Sequence, residues 1–196
     1  MGKVAARLSS LIAAVAMLAC VPGAWASQGW RYALDSGASD VSAKVAFFGL
    51  ASKTARFPAV TGRIALQPDR PDAIDLDVTI DARALRASDS VTLDRLKGPA
   101  FFDVANHPTV RFSGTAMKAT GPRTAQVSGQ LTARGVTRTQ VLAVNFDRDP
   151  AAARGREAVG LIGRMTIDRR DYGMTAWSAI VGNKVDITIR SRMVPE

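Results

Sequence analysis

The stretch Asp75-Leu76-Asp77-Val78-Thr79-Ile80-Asp81 alternates polar and apolar residues without a break, which puts Leu76, Val78 and Ile80 on one face and the carboxylates on the other. A period of two is the pattern of a half-buried β-strand, because successive side chains of an extended chain point to opposite sides. The same period returns along most of the sequence. Trp30, Tyr32 and Leu34 share one side of a short run, and Val41, Ala43, Val45 and Phe47 alternate with Ser42 and Lys44. Val110, Phe112, Gly114 and Ala116 face one way while Arg111, Ser113 and Thr115 face the other. Val127, Gly129 and Leu131 point inward from 125–133, and Val185, Ile187 and Ile189 alternate with Asp186, Thr188 and Arg190. Residues 141–146 and 159–167 add two more apolar-rich runs.

Turn chemistry separates these runs: Asp35-Ser36-Gly37, the compact Pro68-Asp69-Arg70-Pro71-Asp72, Gly121-Pro122, and Arg134-Gly135 leading into 141–146. Residues 54–66 read as one strand interrupted by Pro58 and Gly62, bent or at an edge because proline removes a ladder hydrogen bond. Only 88–97 breaks the strand pattern. There Ser88 or Ser90 can cap a helix, Val91, Leu93 and Leu96 are its apolar positions, and Gly98-Pro99 ends it. The adjacent Phe101-Phe102 then need a cover or a ligand, which a lid over a barrel mouth would provide. About eight strands and one short helix are too few helices for βαβ units, and predict an all-β fold, an eight-stranded antiparallel barrel. Closure removes exposed edges and leaves an interior for packed side chains or one small ligand.

Residues 1–26 read as a secretory signal, with Lys3 and Arg7 at its start, an apolar run over 8–21 and the small-x-small site Ala24-Trp25-Ala26. The exported domain is then 27–196, and no later run is continuously apolar enough for a membrane span. The one cysteine, Cys20, falls inside the signal as a small apolar residue; lipid anchoring there is the lesser reading, since Leu18 sits where a lipoprotein box has a smaller residue. The exported domain has no disulfide, and its stability rests on its core. The formal charge is +9, of which Lys3 and Arg7 carry two, leaving +7 on 27–196. These cations are scattered rather than gathered into a run and few aromatics lie among them, which argues against nucleic acid and for a solvated basic surface with weak, transient attraction to anionic membranes.

Catalytic equipment is sparse. His107, the only histidine, precedes Pro108 in the helix-to-strand connection and suits an ordered loop. No Gly-x-Ser-x-Gly elbow, phosphate loop or dinucleotide fingerprint occurs. One histidine and no cysteine after Cys20 supply too few ligands for zinc or haem. Asp75, Asp77 and Asp81 lie on a strand with no glycine loop to wrap a calcium ion, and read as a solvated face. No catalytic residue, metal or cofactor is assigned.

Three strings carry a resemblance: Phe101-Phe102-Asp103 with His107-Pro108 and Phe112; Leu131-Thr132 with Gly135-Val136-Thr137-Arg138; and Arg170-Asp171-Tyr172-Gly173-Met174. Their order and spacing resemble the bacterial YceI-like proteins over about Trp30 to Met193. The resemblance implies a lipocalin-like barrel in the periplasm whose interior takes a long polyisoprenoid, such as an isoprenoid quinone or polyprenyl lipid. Thr92-Leu93 stand where the family usually has Arg-Asp, Arg95 where histidine is frequent, and Thr139-Gln140 where Pro-Val often follows the turn. No headgroup contact is therefore carried over to Thr92, Leu93 or Arg95. The expected lining is Val45, Phe47, Leu76, Val78, Ile80, Phe112, Leu131, Met165, Trp177 and Ile187, with Phe101 and Phe102 near the mouth. Asp168 to Met174 reads as a corner that closes the barrel, Arg170 and Asp171 bonding across its end and Gly173 permitting the turn. The function expected is a lipid carrier or scavenger rather than an enzyme; the alternatives are a lipid-modifying enzyme and a ligand-free structural or stress-response protein. Oligomeric state is not legible.

Overall fold

The computed structural model describes residues 29–196; the signal expected over 1–26, with Cys20, lies outside the described residues. Ten strands follow one another: β1 (Trp30–Leu34), β2 (Asp40–Phe47), β3 (Ala51–Phe57), β4 (Val60–Leu66), β5 (Ala73–Asp81), β6 (Thr109–Gly121), β7 (Thr124–Ala133), β8 (Val136–Phe146), β9 (Val159–Asp168) and β10 (Val181–Pro195). Helix α1 (Ser90–Lys97) separates β5 from β6, and a four-residue helix, α2 (Pro150–Ala153), lies between β8 and β9. Strands β1, β4, β5, β6, β7, β8, β9 and β10 form a ring in that order, closed by β10 pairing back onto β1. This is the expected closed eight-stranded antiparallel barrel, with β2 and β3 added to it.

The two additional strands correct the reading of 54–66 as one bent strand. Pro58 ends β3 and the chain starts again at Val60, β3 pairing with β2 and β4 with β1 and β5. The long β10 explains where the hairpin goes. Its C-terminal residues Met193 to Pro195 pair with β1, while Val181 to Arg190 pair with β2. The last β9–β10 pair is Lys184 with Asp168, yet β2 continues along β10 to Phe47 opposite Val181. The β2–β3 hairpin therefore overhangs the ring at the end where α1 sits, and Lys53 on β3 reaches Asp89, the residue before α1, at 3.1 Å.

Local details depart from the sequence reading for physical reasons. The cap of α1 is Asp89, neither Ser88 nor Ser90: its carboxylate accepts from the Thr92 N–H at 2.7 Å and from the Thr92 hydroxyl at 2.9 Å. β8 starts at Val136, directly after a turn whose two central residues, Arg134 and Gly135, both have positive φ, as a tight hairpin requires. On β6 the alternation fails after Gly114. Gly114 pairs with Gly129 and Ala116 with Ser128, so Thr115 is an extra residue, and this bulge turns Ala116 outward and Met117 inward. A side chain at Gly129 would lie 2.4 Å from the Ser113 carbonyl oxygen, so only glycine fits beside the bulge.

The inward faces meet in one apolar core that includes Tyr32, Val60, Ile64, Leu76, Phe112, Val127, Leu131, Val144, Val159 and Met193. Two buried tyrosines tie loops to the wall. The Tyr32 hydroxyl accepts from the Gly155 N–H at 3.0 Å, and that of Tyr172 accepts from Gln140 at 3.1 Å. Burial raises the pKa of both phenols, keeping them neutral. No helix among the described residues is long and apolar enough to cross a membrane.

Candidate functional site

A cavity of about 660 Å³ occupies the barrel, and its lining residues come from both ends. Trp30, Pro68 and Pro122 belong to one end, where β4 meets β5 and β6 meets β7; Phe47, Trp177 and Ile180 belong to the other, under the hairpin and α1. The wall between is aliphatic and aromatic because each ring strand gives its inward face: Leu76, Val78 and Ile80 from β5, Val110 and Phe112 from β6, Val127 and Leu131 from β7, Met165 and Ile167 from β9, and Val185, Ile187 and Ile189 from β10. Such a volume lies within the range of small-molecule sites, roughly 300 to 1,000 Å³. A wall nearly free of polar groups suits a hydrocarbon chain.

All twelve residues expected to line the interior stand on this wall: Val45, Phe47, Leu76, Val78, Ile80, Phe101, Phe102, Phe112, Leu131, Met165, Trp177 and Ile187. Their placements differ. Phe101 is buried, and Phe102 packs edge-to-face on Phe57 with 5.4 Å between ring centroids, so the pair is held under the hairpin between α1 and β6. Trp177 is half-exposed and lies on the rim rather than inside. Met117 and Ala119, which the bulge brings to the wall, escaped the sequence reading because nothing in the sequence marks Thr115 as an inserted residue.

Arg169 is the residue the sequence reading passed over. It was one of four consecutive charges; in the structure it is 3 % exposed and borders the cavity. All five of its N–H donors have acceptors. Nε donates to the Gly182 carbonyl at 2.9 Å, Nη1 to the carbonyls of Met174 and of Ala176, the latter at 2.8 Å, and Nη2 to the Val181 carbonyl at 3.0 Å and the Ser178 hydroxyl at 3.3 Å. Its guanidinium also faces the Phe101 ring at 5.9 Å. Burial lowers its pKa, partly countered by the charge of Asp168. With every donor used by the segment from Met174 to Gly182, Arg169 is a strut for that segment and has no hydrogen left for a ligand headgroup.

The expectation that Arg170 and Asp171 bond across the barrel end needs correction. Arg170 grips Asp168 two residues back through two hydrogen bonds, at 3.0 and 2.7 Å, and Asp171 is exposed. The backbone is a short 3-10 turn, Arg169–Tyr172, which sends alternate charges in different directions, so it is Arg169 that reaches across. Gly173 follows at φ +74°, as the turn reading required. The hydrogen bonds from Arg170 hold the Asp168 carboxyl well below the usual carboxylate range.

His107 and the carboxylates of β5 lie apart from the wall. His107 packs its ring against the β7–β8 turn, where a side chain at Gly135 would come within 2.9 Å of it. Asp77 pairs across strands with Arg111 at 2.6 Å, which lowers its pKa, and Asp81 pairs with Arg83 at 2.9 Å. No group of three or more metal-ligating side chains occurs among the described residues. Thr92 and Arg95, to which no headgroup contact was carried over, both border the cavity mouth, Arg95 stacked over the Trp177 ring at 4.9 Å.

Comparison with known proteins places this architecture. The model of the YceI-like domain matches residues 32–193. A UPF0312 protein of Azotobacter vinelandii is 24 % identical over 184 residues, covering 93 % of this chain and 96 % of that one. The crystal structure of Burkholderia cenocepacia BcnA superposes with a TM-score of 0.71 at 21 % identity, over 81 % of this chain and 98 % of that chain. A polyisoprenoid-binding domain from Saccharophagus degradans, implicated in plant cell wall breakdown, superposes with a TM-score of 0.66 at 15 % identity, over 84 % and 98 %. At these identities the structural matches establish the fold.

Proposed function

Since this chain belongs to the YceI-like domain family, we propose that it is an exported lipid-binding protein that holds a long isoprenoid chain, an isoprenoid quinone or polyprenyl lipid, in the barrel. The observation that carries this reading is the continuous apolar cavity lined from both ends of the barrel. Each methylene-sized group moved from water to such a wall gains roughly 0.8 kcal/mol, so a prenyl tail gains affinity along its length without a polar contact. The similarity to the polyisoprenoid-binding domain supports the choice of an isoprenoid.

A carrier is favoured over an enzyme by where the polar groups point. The imidazole of His107 faces the β7–β8 turn, and Arg169 gives every donor to its own loop. The polar residues that border the cavity, among them Lys53, Thr92 and Arg95 at one end and Gln67 and Asp149 at the other, leave the wall between them almost wholly apolar, which suits holding a chain rather than moving a proton on it. Periplasmic delivery rests on the signal pattern of 1–26. Mass spectrometry of organic extracts of the purified protein tests the proposal: a prenyl species near one per chain is expected, and a lipid-free or fatty-acid-only extract would sink it. Phe112→Asp, with folding checked by circular dichroism, should abolish that species, since Phe112 is buried on the wall.

A further inference from the structure

Large apolar side chains exposed to water are few among the described residues: Phe48, Leu50, Val91, Val141 and Trp177. Four of these five sit at one end of the molecule. Phe48 and Leu50 form the tip of the β2–β3 hairpin, 63 % and 99 % exposed; Val91 is in the first turn of α1; Trp177 precedes β10. Direct contacts hold these segments together. The Phe48 N–H donates to the Ile180 carbonyl at 2.8 Å, the Ile180 N–H donates to the Trp177 carbonyl at 2.9 Å, and Lys53 ties the hairpin to the cap of α1. Phe47, Trp177 and Ile180 on these segments also line the cavity, so the apolar patch is the rim of its mouth.

The backbone adds an independent observation. Among the described residues, five other than glycine have positive φ, and the two bulky aromatics of these are Phe48 at +52° and Trp177 at +60°, both on this rim. Left-handed backbone is unfavourable for a bulky side chain, and exposure of that side chain to water returns nothing. Strain of this kind points to a use outside the folded chain itself. Cations stand with the aromatics: Arg95 lies over Trp177 at 4.9 Å and Lys53 over Phe47 at 5.6 Å. Aromatic and aliphatic side chains flanked by Lys and Arg are the composition of an interfacial membrane contact, the apolar groups entering the acyl boundary and the cations meeting anionic headgroups.

We propose that the rim built from the Phe48–Leu50 tip, Val91 and Trp177 is a docking surface for an anionic phospholipid bilayer, which seats the cavity mouth on the membrane so that a lipid tail passes between bilayer and barrel without crossing water. This use of the rim rests on the carrier reading of the cavity, although docking itself is measured separately.

The test is flotation of the purified protein with vesicles of phosphatidylethanolamine and phosphatidylglycerol, and with vesicles of phosphatidylcholine alone. The wild-type protein should float with the anionic vesicles and less with the neutral ones. Phe48→Ser combined with Leu50→Ser, at two positions outside the cavity wall, should weaken binding to anionic vesicles about a hundredfold without lowering the melting temperature. Equal binding by the variant overturns the proposal, as does failure of the wild type to bind. Equal binding to both vesicle types overturns the anionic surface. A wild-type dimer that the double substitution dissociates makes the rim a contact between copies and overturns it too. Extracting lipid from the same preparations separates the two claims. A bound prenyl species without vesicle binding defeats docking alone, and vesicle binding without a prenyl species defeats the carrier reading while docking stands.

Discussion

The corner from Asp168 to Met174 and the hairpin tip from Phe47 to Ala51 reverse the chain at the same end of the cavity, both through a glycine with positive φ, Gly173 at +74° and Gly49 at +69°. In the corner Asp168, Arg169 and Tyr172 turn inward and are satisfied: Arg169 is buried with all five donors placed, Tyr172 is fully buried, and Asp168 both caps the turn and holds Arg170. At the tip the apolar groups turn outward and nothing among the described residues covers them, Leu50 being 99 % exposed. A corner built that way stabilises the fold; a tip built this way costs the free protein and is useful only in contact with something else. Substitutions in the two reversals should accordingly move different observables.

The largest effect is expected at Arg169. Arg169→Ala removes the donors that satisfy the carbonyls of Met174, Ala176, Val181 and Gly182, and should lower unfolding free energy by about 4 kcal/mol in urea titration. Arg169→Lys, which keeps a charge and three donors, should recover part of that loss. A loss below about 1 kcal/mol for the alanine variant would mean that the loop is held by other contacts.

Gly173→Val comes next. The substitution forces a β-branched residue into φ +74° and places its Cβ 3.0 Å from Nη1 of Arg134, the side chain that bonds the Gly173 carbonyl and, at 2.7 Å, the Pro99 carbonyl. A cost of about 2 kcal/mol is expected, read as a lower melting temperature together with reduced prenyl content. Unchanged melting and ligand content would defeat the corner's role in closing the barrel.

A smaller, pH-dependent effect belongs to Asp168. Its folded pKa is held below the ordinary value of 3.8, chiefly by the Arg170 side chain and backbone N–H. A carboxyl whose pKa is lower folded than unfolded binds more protons when unfolded. Its contribution is complete above the unfolded pKa of about 4 and is lost as pH falls from there through the folded value. Stability of the wild type should therefore fall more steeply below about pH 4 than that of Asp168→Asn, while above that pH the wild type is the more stable. Parallel acid limbs for the two proteins would remove Asp168 from this account.

The sequence was informative wherever one period governed a whole strand. β5 shows Leu76, Val78 and Ile80 without ambiguity, and β7 keeps the same alternation to Ala133, so the inward wall was legible there. Where geometry breaks the period, it was not. Thr115 shifts the faces of β6 by one residue, Pro58 divides what reads as one strand, and the overhang of β2 depends on pairing with β10 some 140 positions away. The corner shows the same limit. Four charged residues in a row are visible to anyone, but which of them turns inward is decided by a 3-10 turn and by carbonyls as distant as Gly182. Nothing in the alternation up to Phe47 marks the hairpin tip as exposed, since exposure of Phe48 and Leu50 follows from where the hairpin overhangs.

The smallest expected change, and the one of opposite sign, is at Phe48. Asparagine tolerates left-handed backbone better than phenylalanine and leaves no aromatic surface in water. At a corner built for stability such a change would lower the melting temperature. At φ +52° and 63 % exposure, Phe48→Asn should instead raise unfolding free energy by a few tenths to about 1 kcal/mol. The same variant should bind anionic vesicles more weakly, so stability and docking move in opposite directions at one residue. A clear destabilisation would show that Phe48 supports the hairpin through its 4.6 Å edge contact with Phe47, and the tip would then be a structural turn like the corner.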